Sequence, residues 1–214
     1  MSGADALRGR VALVIGAGAG AARAVALALG RAGAAVVAND VNPDRAGAVA
    51  AEIVAAGGRA VAWSADVGSR FQVGALIEHT RDVYGGLHVV VNGWRVNKRA
   101  PALALDEYDW RRVLEINLTG AFFVSQMAAR VMADEGGGLL VHLLGPADPE
   151  ATGQAPYLAS QAGLAALGRA LAVELAPVGV RSAVVREADG PEQVVAAVLR
   201  LAGGTPPGDS LAAG

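Results

Sequence analysis

Short runs of apolar, β-branched residues alternate along this chain with longer stretches whose apolar positions recur every three or four residues. The short runs predict strands at residues 10–15, 35–40, 59–64, 88–92, 139–144 and 180–185. The longer stretches predict helices at 21–32, 44–56, 69–84, 106–133, 154–176 and 191–201, with a last weak strand candidate around Leu211. Gly33 stops the first helix, and Asn42-Pro43 turns the chain into the second. A run such as Val11-Ala12-Leu13-Val14-Ile15 has no polar alternation, so both of its faces must be covered. Strands of that kind separated by helices are βαβ units. The chain is therefore expected to be a single α/β domain over residues 1–214, a doubly wound parallel sheet with helices on both sides. No linker or internal repeat interrupts the pattern.

Composition narrows the function classes. An apolar content of 53% over 214 residues is enough for one well-buried core and short for two. A formal net charge of -2 without a basic run offers no hold for nucleic acid or an anionic membrane surface. The lack of cysteine excludes disulfides and thiolate chemistry. His79, His88 and His142 are scattered, so no metal site is expected. The start, Met1-Ser2-Gly3-Ala4-Asp5-Ala6-Leu7-Arg8, has no apolar signal core, and later apolar stretches are broken by Gly, Arg or Asp before they could span a bilayer. A cytoplasmic protein is expected.

The chemistry begins between the first strand and its helix, at Gly16-Ala17-Gly18-Ala19-Gly20-Ala21-Ala22. Gly16, Gly18 and Gly20 permit a tight turn that brings backbone N–H groups towards a pyrophosphate at the helix N-terminus. Asp40 closes the second strand at the spacing where an acidic group accepts hydrogen bonds from the adenosine ribose and repels a 2′-phosphate, which favours NAD over NADP. The plainer reading of Asp40 is a turn residue ahead of Asn42-Pro43-Asp44.

With two further segments, this turn resembles the short-chain dehydrogenase/reductase family from about Arg8 to the C-terminus. Val14-Ile15-Gly16 through Ala24 is similar to its glycine turn, Trp110 through Asn117 to Met132 to its long central helix, and Gly153-Gln154-Ala155-Pro156-Tyr157 to the approach to its tyrosine motif. The resemblance implies a Rossmann-type fold and hydride transfer between a nicotinamide and a carbinol or carbonyl carbon. It further implies a tyrosine acid/base, a lysine that lowers its pKa and holds the nicotinamide ribose, a serine that orients the substrate oxygen and an asparagine that supports a proton relay. Tyr157 and Asn117 match, whereas Gln161 stands at the lysine position and Leu144, or Gly145 with a one-residue shift, at the serine position. Around the cofactor the likeness assigns Gly16, Gly18, Gly20, Asp40, Asp66, Val67 and Asn92. Ile15 and Ala22 replace a threonine and a glycine, and in the segment Asn92-Gly93-Trp94-Arg95 bulky Trp94 and Arg95 replace small residues. The substrate-covering segment after the sixth strand is shortened to Arg186-Glu187-Ala188-Asp189-Gly190, which leaves the cleft open to water.

A tyrosine with an ordinary pKa of about 10 needs a nearby cation to exchange protons near neutrality. Gln161 has no charge, Lys98 is the single lysine, and arginines do not shuttle protons. The expectation is a pseudoenzyme: an oxidoreductase-like subunit with a structural or regulatory role, assembled with itself or with an active family paralogue. The resemblance puts that assembly on helices 106–133 and 154–177, where Leu114, Leu118, Ala121, Phe122, Ser125 and Ala129, with Ala159, Ala162, Gly163, Ala166, Leu167 and Ala170, recur at helical spacing. NAD binding is left open, as is a nucleotide-responsive regulator. The rival reading is a divergent NAD-dependent oxidoreductase acting on an alcohol or ketone of 3-hydroxyacyl or 3-oxoacyl type, with Gln161 holding the ribose and Lys98 as the cation. Purely structural readings also exist: the Tyr157 hydroxyl on a carbonyl, Asn117 bridging backbone, His142 a satisfied interior histidine, Lys98 a solvated loop lysine, and Trp94 a cleft filler or interface anchor.

Overall fold

The computed structural model describes residues 6–148, 150–187 and 190–204. The strands are β1 (Val11–Ile15), β2 (Ala35–Asp40), β3 (Arg59–Ser64), β4 (Val89–Asn92), β5 (Gly138–Leu144) and β6 (Val180–Arg186). They form one sheet in the order β3-β2-β1-β4-β5-β6, with every paired strand parallel. Seven α-helices accompany them: α1 (Gly20–Arg31), α2 (Pro43–Ala55), α3 (Arg70–Tyr84), α4 (Glu107–Leu114), α5 (Ala121–Asp134), α6 (Ala155–Glu174) and α7 (Pro191–Ala202). The expected single doubly wound sheet is present. The strand candidate around Leu211 lies outside the described residues.

The continuous apolar strands have the physical cause anticipated for them. In β1, Ala12 and Val14 enter a core with α1, α2 and α7, while Leu13 and Ile15 enter a second core with α3 and α5. Water is excluded from both faces, which is why no polar residue interrupts the run. Helix boundaries follow local chemistry. The Asn42 side chain accepts hydrogen bonds from the N–H groups of Asp44 (2.9 Å) and Arg45 (3.2 Å) with Pro43 next to it, and Asp106 caps α4 through Asp109 N–H at 2.7 Å. Gly85 ends α3 in the left-handed region at φ 78°.

The long helix expected over 106–133 is interrupted. Between α4 and α5 the segment Glu115–Gly120 is a π-helical turn, a local widening that redirects the side chains it carries. Gly120 lies so close to Val67 that a Cβ there would meet the Val67 carbonyl at 2.9 Å. The registers Ile15↔Asn39, Ile15↔Asn92, Asn92↔His142 and Leu144↔Arg186 bring the C-terminal strand ends to one edge. The strand order reverses between β1 and β4, and it is at such a point that doubly wound sheets open a crevice for ligands. None of the helices among the described residues is long and apolar enough to cross a membrane.

Candidate active site

The crevice begins at the glycine turn. Gly16 (φ 73°) and Gly20 (φ 58°) hold backbone angles that other residues adopt only under strain, and at Gly16 a Cβ would also meet the Trp94 backbone at 2.9 Å. Helix α1 starts at Ala19 with no side-chain cap and no acidic residue in its first turn, so its N-terminal N–H groups are left for an anion. The methyl of Ala22 is accommodated because its neighbour is Gly93, where a Cβ would come within 2.6 Å of the Ala22 Cβ. The alanine at the family's glycine position is thus matched by a glycine across the crevice.

Asp40 is 1% exposed, and its carboxylate accepts hydrogen bonds from Gly18 N–H (3.2 Å) and Asn42 N–H (2.9 Å). It therefore holds the glycine turn against the end of β2. Asp66 pairs with Arg112 at 2.7 Å and accepts from Gly68 N–H at 2.9 Å. Burial pushes this carboxyl up, but the Arg112 hydrogen bond, the Gly68 N–H and the Arg112 charge outweigh it and hold Asp66 below the usual carboxylate range. Val67 is buried in the core beneath. A cavity of about 410 Å³ opens here between Val41, Asp66, Trp94, Val96, Arg112 and Ile116. A second of about 170 Å³ lies at the glycine turn beside Gly93, Arg95 and Glu187, and Trp94 lines both. Trp94 is thus a cleft residue.

Asn92 departs from expectation. Its amide turns away from the crevice to Ser125 Oγ and His142 Nδ1, each at 3.3 Å, because the β4 register directs it into the layer under α5. This buried cluster also corrects the reading of His142 as a satisfied histidine, since its Nε2 has no partner. Burial lowers the His142 pKa to about 4.

Asn117, carried by the π-helical turn, receives Val96 N–H at 2.8 Å and donates to Val96 O and Ser160 Oγ, both at 2.9 Å. It ties the β4 loop to α6, as the structural reading had it. The Tyr157 hydroxyl donates to Pro146 O at 3.1 Å. One turn along α6, Gln161 accepts Gly145 N–H at 2.9 Å, while its Nε2 is buried and unpartnered. Leu144 is buried and offers no polar atom. Lys98 pairs with Asp109 at 3.2 Å and does not serve as the cation of this site.

That cation is Arg95, whose guanidinium lies against the Tyr157 hydroxyl. Both groups converge on Gly145, where any side chain would collide with them. Arg95 is itself held bidentately by Glu187, with Nη1 to Oε1 at 2.7 Å and Nη2 to Oε2 at 2.6 Å. Burial pushes the phenol above its ordinary value, Arg95 pulls it down and Glu187 pushes it up again; the net direction is upward. From the sequence alone Arg95 is only a bulky residue after β4, and Glu187 carries no assigned role. The available signal was a pair of opposite charges directly after β4 and β6.

The pattern of short chain dehydrogenases matches residues 10–188 of this chain. The chain belongs to the short-chain dehydrogenase/reductase family. It is 32% identical to the (2S)-[(R)-hydroxy(phenyl)methyl]succinyl-CoA dehydrogenase subunit BbsD of Thauera aromatica, over 81% of this chain and 70% of that protein. It is 36% identical to a 3-oxoacyl-[acyl-carrier-protein] reductase of Synechocystis sp., over 82% of this chain and 72% of the relative. Among solved structures, a metagenomic short-chain oxidoreductase in complex with NADP superposes with a TM-score of 0.87 at 29% identity, covering 92% of both chains. A short chain dehydrogenase from Mycobacterium smegmatis gives 0.86 at 31% identity, over 94% of this chain and 89% of the other.

The family's nicotinamide dinucleotide can be tested against the residues present. Gly16 and Gly20 with the uncapped α1 suit its pyrophosphate, and the orphaned Nε2 of buried Gln161 suits a ribose hydroxyl. The site fits the group at both ends. Leu144 and Gln161 stand at the end of the crevice nearest Tyr157, and β6 and α7 are joined by the residues between Arg186 and Pro191.

Proposed function

We propose that this chain is a divergent oxidoreductase that transfers hydride between a nicotinamide dinucleotide and an alcohol or ketone. The observation that carries the reading is the Arg95 guanidinium against the Tyr157 hydroxyl, beside the cavity at the glycine turn. A fixed positive charge stands next to the phenol although residue 161 carries none. Arg95 does not shuttle protons; it stabilises negative charge on an oxygen that does. When bound, the dinucleotide supplies or accepts the hydride. Tyr157 exchanges a proton with the substrate oxygen, releasing its bond to Pro146 O as it does so. Gln161 Nε2 holds the nicotinamide ribose, and Asn117 keeps the Arg95 segment in place through Val96.

Asp40 favours NAD, because its buried negative charge at the end of β2 opposes a 2′-phosphate. The neighbour crystallised with NADP makes NADP the comparison to run. The substrate class is a 3-oxoacyl or 3-hydroxyacyl compound, in keeping with the names of the Synechocystis and Thauera relatives. Calorimetric titration with NAD and NADP, followed by a screen of such substrates, tests the reading. No binding at millimolar dinucleotide ends it.

A second reading, the silent subunit, rests on a different observation. Ala155, Ala159, Ala162, Ala166 and Ala170 form an exposed stripe along α6, a surface on which another helix could pack closely. The Thauera relative is itself named as a dehydrogenase subunit. On this reading the chain pairs through α4, α5 and α6 with its own copy or with an active paralogue. It predicts a stable complex on co-expression with a paralogue from the same genome and no turnover by this chain alone.

A further inference from the structure

The pair between Arg95 and Glu187 sets the electrical condition of the phenol. Among the described residues the charged groups that face Tyr157 are Arg95, from the segment after β4, and Glu187, from the end of β6. Its own helix contributes neutral Gln161, and the segment after β5 contributes the Pro146 carbonyl. The two charges are bound to each other by paired hydrogen bonds of 2.7 and 2.6 Å, with side chains 26% and 10% exposed. A guanidinium whose charge is matched by a carboxylate at contact distance contributes only a residual field to a third group. Among the described residues no other charge offsets the cost of placing a phenolate in this 2% exposed position.

We infer that Glu187 sets the resting protonation of Tyr157: by cancelling the charge of Arg95 it keeps the phenol protonated, so at neutral pH the saturated site turns over carbonyl reduction faster than alcohol oxidation, while the equilibrium between the two is unchanged. This rests on the oxidoreductase reading above. In the favoured direction, with hydride supplied by a reduced nicotinamide dinucleotide, a C–H bond forms at the carbonyl carbon. The C=O π pair moves onto oxygen, and that oxygen takes the Tyr157 proton as the phenol O–H bond breaks. The carbonyl is reduced, the dinucleotide is oxidised, and water reprotonates the phenolate. The reverse reaction must begin from the phenolate, which the residual field of the neutralised pair stabilises only weakly. Glu187 is a positioning residue, acting on the phenol through Arg95.

The test is a phenolate absorbance titration of the full chain, with Tyr157→Phe subtracted to remove Tyr84 and Tyr108. Glu187→Gln keeps the side-chain length and frees the guanidinium charge. It is expected to raise the Tyr157 phenolate fraction at neutral pH about tenfold, in line with the effect of an adjacent cation, and to raise the ratio of kcat for oxidation to kcat for reduction at saturating substrates in the same sense. Glu187→Asp restores wild-type titration. The double variant Arg95→Gln, Glu187→Gln removes both charges; it also returns the titration close to wild type, and it covers the case in which the single variant does not fold. An unchanged titration midpoint in folded Glu187→Gln, or the same shift in the double variant, overturns the inference even if the enzyme turns over. A shifted midpoint without turnover in either direction instead overturns the oxidoreductase reading, because the titration needs neither cofactor nor substrate.

Discussion

The two halves of the crevice have diverged unequally. At the glycine turn the departures from the family are compensated: Ala22 is met by Gly93, Asp40 secures Gly18, and α1 begins uncapped. At the proton-transfer end they are rebuilt with different chemistry, as neutral Gln161 and Leu144 are accompanied by the Arg95–Glu187 pair. A surface that cradles phosphates depends on backbone geometry, which a methyl traded across the gap leaves intact. A proton-transfer centre depends on charge, which no packing adjustment supplies. The same fold can therefore preserve one function while renegotiating the other.

The sharpest way to separate the halves is Tyr157→Phe. It should lower turnover about a thousandfold, within the usual range for loss of an acid/base group, and leave the calorimetric dissociation constant for NAD unchanged. Equal turnover would move the proton chemistry to another residue.

Acid provides the next largest effect and acts beneath the catalytic half. His142 is buried and neutral, with a folded pKa of about 4 against an ordinary 6.5. Its contribution to stability is complete above pH 6.5 and is lost as the pH falls from 6.5 towards 4, where the unfolded chain takes up a proton that the folded one refuses. The loss approaches about 3 kcal/mol. Urea unfolding at a series of pH values measures it, and His142→Leu should flatten that part of the profile.

At the glycine half, Gly16→Ala places a Cβ against the Trp94 backbone at positive φ. It should cost about 2 kcal/mol of stability and weaken NAD binding while leaving the Tyr157 titration in place. Retained NAD affinity would detach the turn from the cofactor. The smallest effect is expected from Asp40→Asn, which keeps the side-chain size and removes the charge, its single amide oxygen accepting from one of the Gly18 and Asn42 N–H groups and its NH2 losing the other bond. The affinity ratio of NADP to NAD should rise about tenfold, or roughly 1.4 kcal/mol.

Much of this was written locally in the chain. The both-face burial of β1 follows from its unbroken apolar run, the start of α2 from Asn42-Pro43, and the glycine turn from its own spacing. The π-helical turn at Glu115–Gly120 lies inside a stretch whose apolar pattern predicts one continuous helix over 106–133. The Arg95–Glu187 contact was illegible for another reason. The partners are 92 positions apart, and they meet only because β4, β5 and β6 run parallel and end on one edge. Local patterns specify which elements form; charges brought together by sheet register become visible only once the sheet is assembled. Asn92 shows the converse, for its motif position was recognised but its strand register turned the amide away from the crevice.

The brevity of the link between β6 and α7 has a kinetic consequence. On the oxidoreductase reading, a link of this length holds no long flap to swing shut and reopen, so a substrate arriving at Tyr157 commits to no slow conformational cycle there. Bond rearrangement itself then limits the cycle. A deuterium on the transferred position of the reduced nicotinamide should slow kcat by the full intrinsic isotope effect.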